Sequence, residues 1–193
     1  MLTTLVTDEL DFPNLSMVGV DDRAAAYTAV DYLIRQGHRK IAVLGGPVTS
    51  YPSLMRRQGA QQAMEDAGIV FNDKLYGLSN YDFESAYHAM NSLLARRAEF
   101  TALFAMSDVI AFGAIRALVS AGLRVPEDVS VIGFDGITMS RYCVPVMTTI
   151  VQPSEQIALQ SIELLVRQIE HGSPAQTVTL QPELQQGESV RAI

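Results

Sequence analysis

The sequence predicts an α/β fold built on a mostly parallel sheet. Three observations carry this. Short apolar runs alternate with longer stretches of helical spacing through the 193 residues, the order expected of successive β–α units. Glycines close several helical stretches, at Gly37, Gly68 and Gly122, with Gly172 just past another. The run Ser130-Val131-Ile132-Gly133-Phe134 stops on a carboxylate, Asp135, where an open parallel sheet meets its ligands.

Taken in order, Leu2–Val6 and Met17–Val20 read as strands, and a helix follows from about Asp22 to Gln36. Its start, Asp21-Asp22, suits the positive end of the helix dipole, and His38-Arg39-Lys40 lie beside the negative end as terminal cations. Ile41–Leu44 is a strand and Leu54–Ala67 a helix. Leu75–Leu78 is a short strand, followed by a helix over Phe83–Arg97. Ala102–Ala105 leads into a helix over Ser107–Ala121, and Val129–Phe134 is the strand ending at Asp135. Met147–Val151 precedes a helix over Pro153–Glu170, with Pro153 in its first turn. Val178–Leu180 and Leu184 read as edge strands.

With 48% hydrophobic and 18% charged residues, the chain is that of a globular protein with one solid core or two small ones. Its net charge of −7 argues against this stretch gripping nucleic acid by itself, since duplex binding depends on cations neutralising phosphates. Cys143 is the only cysteine, which fits a reducing cytoplasm. The first residues lack the basic start of a secretory signal. No apolar run has the length of a membrane span.

Four strand-to-helix loops carry polar residues. Gly45–Ser50 leads to Arg56 in the next helix; Asn80, Tyr81 and Asp82 follow the second strand; Ser107 and Asp108 follow the third; Asp135 follows the fourth. In a parallel sheet these loops share one edge. An arginine fork, carboxylates, an amide and an aromatic face suit a polyhydroxylated or heterocyclic ligand. Each residue also has a plainer reading. Ser107, Asp108 and Asp82 cap helices well, Asp135 suits a turn, Arg56 can be solvated, and Tyr81 can cover the core edge.

Other chemistry finds no motif. Gly45-Gly46 is not followed by the Lys-Ser/Thr of a phosphate loop, and no G-x-G-x-x-G or G-x-S-x-G occurs. His38, His88 and His171 lack metal-ligand spacing. No metal or cofactor is expected. An enzyme using Asp135 or Asp108 as acid–base group would lack a nucleophile. The Ser107–Ala121 helix is apolar almost all round, through Val109, Ile110, Phe112, Ile115, Leu118 and Val119. It needs cover on more than one side; the sheet offers one and a two-fold partner another.

Several segments in this order resemble the effector-binding domain of LacI-type transcription regulators. They are Val20-Asp21-Asp22, Gly37–Ala42, Arg56 with Gly59, Ser107-Asp108 with Gly113, Val125-Pro126, Ser130–Asp135, and Pro145 with Thr148-Thr149. The resemblance implies a periplasmic-binding-protein-like type I fold, with one complete α/β subdomain and part of a second. Residues 21–149 and 177–193 would form the complete C-terminal subdomain, and residues 1–20 and 150–176 part of the N-terminal one. It implies a small-molecule effector, a sugar or nucleoside-like metabolite, bound in the cleft of a homodimer. Operator DNA would be held only through a helix-turn-helix headpiece lying outside this sequence. A stand-alone solute-binding protein of the same fold is the alternative. The site would comprise Arg56, Asn80, Tyr81, Ser107, Asp108, Asp135 and Gln152, the last from the resemblance alone. Departures are Ser107 where the family often has Asn, Gly136 where a second Asp is common, and Gly187 where Arg is usual.

Overall fold

The computed structural model describes residues 15–97 and 99–193, so the expected strand Leu2–Val6 lies outside the described residues. The elements in chain order begin with β1 (Met17–Val20), α1 (Asp22–Arg35), β2 (Ile41–Gly45), α2 (Tyr51–Asp66), β3 (Tyr76–Leu78), α3 (Phe83–Ala95) and β4 (Ala102–Ala105). They continue with α4 (Asp108–Ser120), β5 (Ser130–Asp135), β6 (Thr148–Val151), α5 (Ser154–His171), β7 (Thr177–Leu180) and β8 (Glu183–Gln185). A six-stranded sheet runs in the order β3-β2-β4-β5-β6-β8, and β1 pairs with β7 in a separate two-stranded sheet. Among the described strands only β8 is antiparallel, against β6.

Helices α1 and α2 pack together, and α3 packs on α4. The chain leaves β2 through α2 to β3, then returns through α3 to β4 on the other side of β2. The loops after β2 and β4 therefore diverge and open a crevice at the carboxyl ends of these strands. Covered on both faces, β2 and β4 are buried along their length, which is why they read as unbroken apolar runs. Phe104, Phe134, Leu33, Leu44, Leu103 and Met90 are among the largest fully buried side chains.

The helix starts follow from capping. Asp21 accepts the Ala24 N–H at 2.9 Å, Asp82 the Ser85 N–H at 2.7 Å, and Ser107 the Ile110 N–H at 3.1 Å. Helix α2 begins at Tyr51, three residues before the expected Leu54, because Ser50 caps it and Pro52 sits in its first turn. Helix α3 ends at Ala95, short of Arg97, which has a left-handed φ of +53°.

Three expectations are corrected. His38 is not a solvated terminal cation: it is 1% exposed, its Nδ1 lies 2.9 Å from the Thr101 hydroxyl and its Nε2 3.1 Å from the Arg191 carbonyl. Burial pushes its imidazole below the usual range, so it is a neutral strut tying the chain end to the sheet. Gly37 beside it leaves room for the same tail, since a Cβ there would meet the Ile193 carbonyl oxygen at 2.4 Å. Second, residues 177–193 do not stay together. Strand β8 joins the large sheet, whereas β7 pairs with β1 and both pack on α5. The alternation of β7 explains this: Val178 and Leu180 turn inward while Thr177 and Thr179 face out. Third, α3 already supplies much of the second cover for α4, with Phe83 stacked on Phe112 at 6.2 Å between centroids. Val119 and Phe83 stay largely exposed, as do Leu159, Ile162, Val166 and Ile169 on one side of α5.

Candidate functional site

Arg56 is the centre of the crevice. It sits two turns into α2 and is 6% exposed, so the solvated-residue reading does not hold. Its Nε donates to Asp22 Oδ1 at 2.6 Å, and its Nη1 donates to the Met106 carbonyl and lies 3.5 Å from Asp135 Oδ1. The guanidinium carbon lies 3.7 Å from the Phe134 ring centroid, a cation–π seat that also fixes the guanidinium plane. One cation thus joins the start of α1, the end of β4 and the end of β5. Asp22 was legible only as a helix-dipole residue; what marks it as part of the site is that a buried guanidinium needs a buried anion.

Asp135 closes β5 with a φ of +110°, and Gly136 follows at +69°. A positive φ costs a non-glycine residue energy and is held by its surroundings. The Asp135 carboxylate accepts a bond from Gln152 Nε2 at 2.8 Å. Its side chain remains 26% exposed, which leaves carboxylate surface for a ligand. Burial raises its carboxyl above the usual range, against the lowering effect of Arg56. Gln152 follows β6 directly, so it links Asp135 to the crossover toward α5.

Tyr81 also has a left-handed φ, +59°. Its ring lies on the β2–α2 loop, where a Cβ on Gly46 would stand 2.1 Å from it. Its hydroxyl is buried and has no hydrogen-bond partner among the described residues. A strained aromatic with an orphan hydroxyl goes beyond the edge-covering reading. Asn80 beside it is exposed at the rim, with its backbone N–H bonded to Ser85 Oγ at 2.9 Å.

Two residues serve the frame. Ser107 spends its hydroxyl on the α4 cap and is 4% exposed. Asp108 is fully buried and directs its carboxylate beneath the crevice floor rather than into it. Its Oδ2 accepts the Ile137 N–H at 2.9 Å and its Oδ1 the Thr149 hydroxyl at 2.6 Å. Thr149 escaped the sequence reading because nothing in a strand pattern marks which hydroxyl finds a buried acid. The structure therefore gathers Arg56, Asp135, Gln152 and Asp22 into one cluster, with Tyr81 on the β2–α2 loop and Asn80 at the rim. No group of three or more metal-ligating side chains occurs among the described residues.

Residues 30–190 match the family model described as a periplasmic binding protein-like domain. The chain belongs to this family. Within it, the chain is similar to LacI-type regulators. It is 35% identical over 181 residues to the HTH-type transcriptional repressor PurR of Histophilus somni (strain 129Pt), covering 93% of this chain and 54% of that protein. The structure of the transcriptional regulator CelR in complex with cellobiose superposes with a TM-score of 0.89 at 32% identity, over 94% of this chain and 56% of that one. A sugar-binding LacI-family regulator from Escherichia coli, complexed with phosphate, gives 0.83 at 35% identity, over 92% and 64%. This periplasmic binding protein-like chain thus spans about half the length of the curated relatives it matches.

Proposed function

We propose that this chain is the effector-sensing part of a transcription regulator that binds an uncharged sugar or nucleoside-like metabolite. One observation carries the reading: two carboxylates, Asp22 and Asp135, share the single guanidinium of Arg56 at the mouth of the crevice. Such a cluster has a surplus of acceptors and negative charge. It favours ligands rich in hydroxyl donors and disfavours phosphorylated ones. Asp135 takes hydroxyl donors, Gln152 contacts the ligand from the crossover side, Tyr81 stacks on a ring and satisfies its hydroxyl, and Asn80 reaches from the rim. Ligand closure then alters DNA-binding segments outside this sequence, in a cytoplasmic homodimer. The relatives are repressors and sugar-binding regulators, which favours this reading over a stand-alone binding protein. No catalytic turnover is expected, because no nucleophile and acid–base pair stand in line among the described residues.

Calorimetry on the intact protein with ribose, cellobiose, adenosine and their phosphorylated counterparts tests this. An uncharged member binds, its phosphate binds at least about tenfold weaker, and Asp135→Ala costs about 1–3 kcal/mol of its affinity. Preference for the phosphorylated forms, or a bound sugar recovered chemically altered, refutes the reading.

A further inference from the structure

Asp108 makes no contact that a ligand could share, yet its carboxylate is placed with unusual care. It is fully buried. It lies over β5 at Gly133, where a Cβ would stand 2.2 Å from Oδ1. A glycine in the middle of a buried strand forfeits packing; here its absent side chain is the space the carboxylate fills. Across the ladder, Gly133 is paired with Thr149, whose hydroxyl donates to the same Oδ1 at 2.6 Å. The carboxylate also accepts the Ile137 N–H at 2.9 Å. Ile137 follows the two left-handed residues Asp135 and Gly136. One residue therefore grips the strained turn from below with its side chain.

We propose that Asp108 is a positioning residue that holds the Asp135–Gly136–Ile137 turn, and with it the Asp135 carboxylate, in the geometry the crevice requires. The proposal rests on the reading of Asp135 as a ligand-binding group. Without the Asp108 acceptor the Ile137 N–H loses its buried partner, and the left-handed Asp135 keeps its bonds to Gln152 and Arg56 but loses the tether beneath its turn. Because Thr149 lies three residues before Gln152, the same carboxylate also anchors the strand that delivers the amide to Asp135.

The clamp is ionisable. Burial pushes the Asp108 carboxyl up to about 6, while the hydrogen bonds from Thr149 and Ile137 hold it down. The charged groups around it are Asp135 at the end of β5, which raises it further, and beyond Asp135 the Arg56 guanidinium and Asp22. The Cys143 thiol faces it from the loop before β6 and is itself pushed up by burial.

The test uses the intact protein without effector, so its outcome is independent of the effector reading. Nuclear magnetic resonance follows the amides of Gly136 and Ile137 and the side-chain amide of Gln152 against pH. The three signals are expected to titrate together near the Asp108 value of about 6. In Asp108→Asn this shared step disappears, and the Ile137 amide exchanges with solvent at least about tenfold faster while Val131 on β5 keeps its protection. Thr149→Val removes one donor to the ionised carboxyl and moves the shared midpoint up; this shift decides the matter if Asp108→Asn does not fold. A wild-type protein without the shared step, a midpoint unmoved by Thr149→Val, or unchanged exchange in folded Asp108→Asn overturns the proposal.

Discussion

Replacing Arg56 with methionine tests how the crevice is held open. The substitution keeps the aliphatic stem and removes the guanidinium from a site that is 6% exposed. Asp22 and Asp135 then face each other's charge with no cation between them, and the Met106 carbonyl loses its donor. Breaking one partner out of a buried ion pair costs about 3–5 kcal/mol. For a chain of this size that corresponds to a fall in melting temperature of roughly 10 °C. The loss depends on pH, because the stranded carboxylates escape by taking up protons. The Asp135 value, already raised by burial, rises further without Arg56, so the penalty is complete above that raised value and shrinks as the pH falls toward about 4. Urea denaturation of wild type and Arg56→Met at pH ~7.5 and ~4.5, with equal slopes required, reads both effects. A loss below about 1 kcal/mol at the higher pH, or one indifferent to pH, would refute the account of Arg56 as the cation that neutralises this cluster.

Three further outcomes follow from named contacts. Gly133→Ala drives a Cβ into the Asp108 carboxylate at 2.2 Å; denaturant unfolding should show a loss of about 1–3 kcal/mol from overpacking, with more if the Thr149 hydroxyl or the Ile137 N–H loses its acceptor. His38 is neutral in the fold because burial lowers its value, so its contribution is complete above about pH 6.5 and is lost as the pH falls toward the folded value. In His38→Gln the stability profile between pH ~7 and ~5 should flatten relative to wild type, and an unchanged profile would remove His38 as its cause. Titration of operator DNA with this 193-residue stretch alone should show no tight binding at moderate salt, given its net charge of −7; tight binding would contradict the indirect role proposed for it.

The order of β–α units, the helix caps and the shared edge of the four loops were legible in the sequence. They depend on local chemistry: apolar period, a capping oxygen three residues before a free N–H, a glycine where φ turns positive. Asp21, Asp82 and Ser107 act as caps through bonds within three residues of themselves, and Asp135 lies at its strand end as its apolar run predicts. The tertiary structure alone decided which polar groups are spent and which remain. Arg56 meets Asp22 across 34 positions and Asp108 meets Thr149 across 41, separations over which no spacing rule operates. The same holds for His38, whose ring is enclosed by Thr101 and by the chain end at Arg191, and for β7, which leaves the large sheet for β1. A side chain's neighbours across the sheet set its burial, and burial sets whether it is charged, bonded or available to a ligand. That is why the sequence marks both Asp108 and Asp135 as acids in the same crevice, while only the fold separates the one left partly exposed from the one buried beneath it.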